Sequence, residues 1–146
     1  MKILVDGDAC PGRALIEKAA REDSIPVIIL CDINHYITSD YAEVICVDAG
    51  FQSVDVSLIN KASKGDIVVT GDFGVAAMAL GRGAYAISGK GFVYDDSNID
   101  KLLFERHIAG KARRAGNRTS TIKKRTSEDD DRLYKNLKFL ISKAKK

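Results

Sequence analysis

Three observations predict an α/β fold with a mainly parallel central sheet. Five short apolar runs are rich in β-branched residues, helical stretches fall between most of them, and the links are short. The runs are continuously apolar instead of alternating, which suits strands covered on both faces in a doubly wound arrangement.

The first strand is expected at "KILVD" (2–6). A helix follows over 11–23, "PGRALIEKAARED", with Pro11 at its first position and Leu15, Ile16 and Ala19 as an apolar stripe. "PVIILC" (26–31) and "EVICV" (43–47) supply the second and third strands. Ser53 is the expected N-cap of a helix over 53–63, with Val54, Leu58 and Ala62 on one face. The fourth strand is "DIVVT" (66–70), and a helix over 74–81 begins just after Asp72 and stops at a glycine. "AYAIS" (84–88) is the fifth strand. A helix over 97–109 is expected to open at Ser97, with Asp100 three residues on as a weak variant of the capping box. Asp66, Asp95 and Asp96 read as turn residues.

Beyond this point the charge reverses. Residues 1–105 hold nine Lys+Arg against sixteen Asp+Glu, whereas residues 106–146 hold fourteen against four. The net +3 is therefore an acidic body joined to a basic tail, suited to gathering metal cations in one place and phosphates in another. Residues 110–126 have no apolar periodicity and are expected to form a mobile loop. Lys111, Arg113, Arg114, Arg118, Lys123, Lys124 and Arg125 stand in it without a single acid. "SEDDDRLYKNLKFLISKAKK" then reads as a helix capped by Ser127, with acids at its positive end and lysines at its negative end. Leu133, Leu137, Leu140 and Ile141 give it a stripe for docking. The expected organisation is an α/β domain over 1–109, with a basic loop and C-terminal helix over 110–146 packing on it.

A chain of 146 residues with 45% hydrophobic content can bury a core without disulfides. Cys10, Cys31 and Cys46 form no C-x-x-C pair, and two lie in apolar runs, so buried free thiols in a reducing compartment are expected. A charged-then-apolar leader and an apolar run of about 18 residues are both missing, so a cytoplasmic location is expected over export or membrane spanning.

The acids carry the functional reading. Ligands of open parallel sheets bind at the carboxyl ends of strands, near the point where strand order reverses. Asp6 and Asp8 follow the first strand, Asp72 follows the fourth in "VVTGDFG", and Asp55 stands in the first turn of the helix after "DAGFQS". Singly, Asp72 suits a helix cap and Asp55 a helix dipole. Together they point to one end of the sheet, where packed carboxylates would partly protonate unless cations neutralise them. Oxygen ligands favour Mg²⁺ or Mn²⁺ over zinc. Gly7 would let the backbone turn tightly so that both flanking carboxylates serve one site. Asn34, in "CDINHY", is placed to orient a water or a phosphate there. His35 and His107 read as surface residues, and no histidine lies near Cys10 in sequence to activate its thiol. The basic segment suits phosphate binding through counterion release. It lacks interleaved aromatics, so base stacking by the loop itself is not expected.

"VDGDACPG" (5–12), "GFQSVDVSLI" (50–59), "GDIVVTGDFGVAA" (65–77) and the "SEDD" before the last helix resemble the YaiI/YqxD family, across nearly the whole chain. The resemblance implies a three-layer α/β/α domain related to PIN-type nucleases. It implies Mg²⁺ or Mn²⁺ held by Asp6, Asp8, Asp55 and Asp72, and hydrolysis of phosphodiesters, RNA before DNA. A non-catalytic RNA-binding protein of the same fold is the alternative. The opening "hhhDxD" pattern also resembles haloacid-dehalogenase-like phosphatases. That scheme needs Thr or Val where Cys10 stands, and a further acid after "GD" that "GDFGVAAM" does not provide.

Overall fold

The computed structural model describes residues 1–7, 12–32, 37–48, 53–114 and 124–145. Six strands and five helices follow one another as β1 (Ile3–Asp6), α1 (Arg13–Glu22), β2 (Val27–Asp32), β3 (Glu43–Val47), α2 (Val54–Lys61), β4 (Ile67–Val69), α3 (Phe73–Gly81), β5 (Tyr85–Ile87), β6 (Val93–Tyr94), α4 (Asp96–Arg114) and α5 (Ser127–Ala144). The sheet order is β3-β2-β1-β4-β5-β6. Every neighbouring pair is parallel except β5 with β6. This is the doubly wound order in which the chain steps outward from β1 in one direction, then returns to lay β4 on its other side.

The continuous apolar runs are explained by the two faces of this sheet. Ile3 and Val5 point into a cluster with Ile29, Ile67 and Val69, covered by Ile16 and Ala19 of α1 and by Leu133, Leu137, Leu140 and Ile141 of α5. Leu4, Leu30 and Val68 point the other way, onto Leu58 of α2, Val75 and Ala79 of α3 and Ile99 of α4. Alternate residues of one strand thus feed opposite cores, and the molecule has three layers, α/β/α. Helix α5 is part of the first core. Its four inward residues are almost fully buried, and each such side chain contributes about 1.5–3 kcal/mol. Lys138 of α5 pairs with Asp23 at the end of α1 at 2.7 Å, and this ammonium holds the Asp23 carboxyl below its usual range.

Several expectations are corrected. The sheet has a sixth strand, β6, returning antiparallel after a tight hairpin closed by Ser88 N–H to Phe92 O at 2.8 Å. Helix α4 runs on to Arg114, so the first residues of the expected loop are helical. Ala, Lys and Arg are strong helix formers and carry the helix past Gly110. The α4 start is capped by Asp95, not by Ser97 and Asp100. Asp95 Oδ1 accepts from the backbone N–H groups of Ser97 and Asn98, both at 2.9 Å. Thr126, not Ser127, caps α5, in a capping box with Asp129. Asp66 is no turn residue in solvent. It is buried and accepts from Lys2 N, Lys2 Nζ and Ser63 N at 3.1, 2.7 and 2.9 Å. Cys46 is exposed, because β3 is an edge strand, and its sulfur lies 3.4 Å from that of buried Cys31 on β2. Neither forms a disulfide. Ser53 caps α2 as expected. Pro11 and Cys10 lie outside the described residues. Among the described residues no helix is long and apolar enough to cross a membrane.

Candidate functional site

Strand order reverses between β1 and β4, which are hydrogen-bonded neighbours in the middle of the sheet. The connections leaving them go to opposite faces, so their carboxyl ends open a crevice, the usual ligand position in such sheets. Asp6 is the last residue of β1 and is 5% exposed, an unusual place for a carboxylate. Thr70, Gly71 and Asp72 follow β4 directly.

Thr70 joins the two sides. Its hydroxyl lies 3.5 Å from Asp6 Oδ2, and its Oγ1 accepts the Asp72 backbone N–H at 3.0 Å. Asp72 Oδ1 accepts from Gly74 N at 2.8 Å and Val75 N at 3.3 Å, so it is the N-cap of α3. This capping fixes its carboxylate at the lip of the crevice. Behind it, the Tyr94 hydroxyl donates to the Thr70 carbonyl at 3.3 Å. Burial first, and the Asp72 charge second, push the Tyr94 phenol up to about 12.

The glycine after Asp6 is required by space. A Cβ on Gly7 would stand 2.8 Å from Ile29 Cγ2 and 2.9 Å from the Leu30 carbonyl oxygen, while Gly7 N–H extends the ladder to that same carbonyl at 2.7 Å. Close approach to β2, more than freedom to turn, is what the residue supplies there.

The other expected site residues are distributed as follows. Asp55 is exposed in the first turn of α2, which follows β3 and so begins at the same edge of the sheet. Asp8 and Asn34 lie outside the described residues, as do Arg118 and Lys123. Lys111, Arg113 and Arg114 fall in the last turns of α4. Lys124 is exposed. Arg125 is half-buried and has a structural role. Its Nε donates to Asp130 at 2.6 Å, and a terminal nitrogen donates to the Gly89 carbonyl in the β5–β6 hairpin. Among the described residues no three His, Cys, Asp or Glu side chains stand close enough to hold a metal ion. Asp6, Thr70 and Asp72 offer hard oxygen donors only, a set suited to Mg²⁺ or Mn²⁺.

Two features were missed in the sequence. Asp32 ends β2 in "VIILCD" as Asp6 ends β1 in "ILVD", a parallel that signals a second strand-final carboxylate at this edge. The second is a wall of aromatic rings beside Asp72. Tyr94 meets Phe73 and Phe92 edge-on, with centroids 6.0 and 5.4 Å away. Helix α5 holds this wall in place. Asn136 donates to the Gly91 carbonyl at 2.7 Å and Arg132 to the Lys90 carbonyl at 3.2 Å. Gly91 has φ +89°, and a Cβ on it would stand 2.4 Å from Leu133 N.

A family model described as "Uncharacterized BCR, YaiI/YqxD family" matches residues 4–143. The chain belongs to the YaiI/YqxD family. Among its relatives is a UPF0178 protein of Clostridium novyi, 64% identical over 99% of this chain and 97% of the relative. One from Clostridium tetani is 59% identical over the full length of both. Another, from Clostridium acetobutylicum, is 52% identical over 99% of each. No solved structure gives a significant match. The YaiI/YqxD match takes in the β1 end, the β4–α3 turn and α5, which together build the crevice and its aromatic wall.

Proposed function

We propose that the chain is a metal-dependent nuclease, related to PIN-type enzymes, that hydrolyses RNA phosphodiester bonds at the carboxyl ends of β1 and β4. The observation that carries this reading is the Asp6–Thr70–Asp72 link at the point where strand order reverses. Asp6, Asp8, Asp55 and Asp72 would hold Mg²⁺ or Mn²⁺. Bound there, the cation supplies an activated water and neutralises charge developing on the phosphate. The chain's own residues do the positioning. Thr70 steadies Asp6, and the α3 cap fixes Asp72 at the rim. Asn34, which follows β2 in sequence, would orient a water or a phosphate. Lys111, Arg113, Arg114, Arg118, Lys123 and Lys124 retain the nucleic acid by neutralising its backbone. A cytoplasmic location agrees with Cys31 and Cys46 being neighbours that form no disulfide.

The test is cleavage of a generic RNA with Mn²⁺ by protein freed of contaminating nucleases. The expected result is cleavage by the wild-type chain and its loss in Asp6→Asn, with RNA binding retained. Failure of the wild type with every divalent ion overturns the nuclease reading. Hydrolysis of a small phosphomonoester with RNA untouched transfers the site to the phosphatase class. One observation favours a second reading, a non-catalytic RNA-binding protein: the Asp72 carboxylate already has a structural task as the α3 cap. On that reading Asp72→Asn leaves RNA binding intact and changes no measurable activity.

A further inference from the structure

Next to Asp72, a cavity of about 500 Å³ opens between the β4–α3 turn, the β5–β6 hairpin and α4. Its walls include Phe73, Phe92, Tyr94 and Leu102, with Lys90 and Arg132 at the edge. We propose that this cavity is a nucleobase subsite, receiving the base of the nucleotide next to the RNA bond to be cleaved. The inference rests on the nuclease reading for its substrate and adds where and how that substrate is gripped.

Four observations support it. The volume falls within the range of small-ligand sites, about 300–1,000 Å³, and a base with its sugar fits such a space. The walls are aromatic. Tyr94 sets the ring planes of Phe73 and Phe92, at 68° and 70° to its own, and Phe92 remains 44% exposed instead of joining the core. Flat aromatic ligands bind such rings by stacking, irrespective of sequence. The edge is polar, with the exposed Lys90 beside Arg125 and Arg132, which are paired with Asp130 and Asp129. A purely apolar ligand would make no use of that edge, and a simple anion would make none of the rings. A nucleotide uses both. The fourth observation is continuity with the acidic site. Gly71 lines the cavity and directly follows Thr70, which receives the Tyr94 hydroxyl on its carbonyl and faces Asp6 with its own hydroxyl, so one turn connects the two compartments. The basic segment lacks the aromatics that single-stranded nucleic acid needs, and the hairpin wall supplies them.

The experiment titrates the full chain with AMP, ribose phosphate and inorganic phosphate in EDTA, following backbone amides by NMR. AMP is expected to shift the amides of Phe73 and of the hairpin from Ser88 to Tyr94, and to bind at least tenfold tighter than ribose phosphate. Phe92→Ala, at an exposed position, is expected to weaken AMP by about tenfold, and Phe92→Tyr to restore it. Equal binding of AMP and ribose phosphate, or unchanged AMP binding by Phe92→Ala, overturns the subsite. Because EDTA removes divalent ions, the two readings separate. RNA cleavage without base-dependent AMP binding sinks the subsite alone. Base-dependent binding by a chain that cleaves nothing sinks the nuclease reading and leaves a nucleotide pocket.

Discussion

The Thr70 hydroxyl lies 3.5 Å from Asp6 Oδ2, across the gap where β1 and β4 run out. This contact ties a nearly buried carboxylate to the turn that presents Asp72. Residues 64 apart in sequence thereby meet at one edge of the sheet. The amino ends of the same two strands are tied differently, by Lys2 and the buried Asp66 at 2.7 Å. One edge carries the proposed chemistry and the other holds the strands together.

Asp72 separates capping from chemistry. Asn caps helices as well as Asp, so Asp72→Asn should keep the unfolding midpoint, whereas Asp72→Ala should lose about 1 kcal/mol. If the site is a nuclease, both variants lose RNA cleavage, and only the alanine variant is also less stable. Thermal unfolding and cleavage measured on the same preparations check the pair.

Gly7→Ala should destabilise the protein by about 1–3 kcal/mol through overpacking. The added methyl meets the Ile29 side chain and the Leu30 carbonyl, both at under 3 Å. Urea unfolding of the variant reads the cost directly, and an unchanged midpoint would mean that β2 yields without penalty.

Asp66→Ala should cost about 1–3 kcal/mol, since the backbone N–H groups of Lys2 and Ser63 and the Lys2 ammonium lose the buried carboxylate that accepts from them. Because Asp66 lies at the opposite edge from Asp6, activity per folded molecule should be unchanged. A loss of RNA cleavage at full folding would contradict the division of labour between the two edges.

Tyr94 predicts a loss of stability in alkali. Its folded pKa of about 12 exceeds the value near 10 of an unfolded chain, so the folded state keeps a proton that the unfolded state gives up. The associated stability is complete below pH 10 and is lost as pH rises towards 12, by about 2–3 kcal/mol in all. Urea midpoints followed from pH 9 to 12 should therefore fall more steeply for the wild type than for Tyr94→Phe. Parallel curves would refute the assignment.

Where local chemistry suffices, the sequence is readable. The five longer strands fall within a residue or two of their apolar runs, and Ser53 caps α2 as its side chain dictates. The missed features depend on neighbours. Strand β6 has two residues, too few for any periodicity, and exists because Tyr85–Ile87 offers it an open edge. Cys46 lies in an apolar run yet is exposed, because β3 is the last strand on its side. Arg125 reads as one cation among seven, but α5 places it against Asp130 and Gly89, where it braces the hairpin.

The sequence alone determined the α/β class, the parallel sheet, the family and the positions of Asp6 and Asp72 at strand ends, because apolar runs, caps and strand-final acids are local patterns. Only the tertiary structure decided that Thr70 joins those acids, that Asp66 is buried and that Phe73, Phe92 and Tyr94 line one cavity. Each of these depends on segments distant in sequence being packed to within a few ångströms, and that packing is set by strand order, which no local pattern encodes.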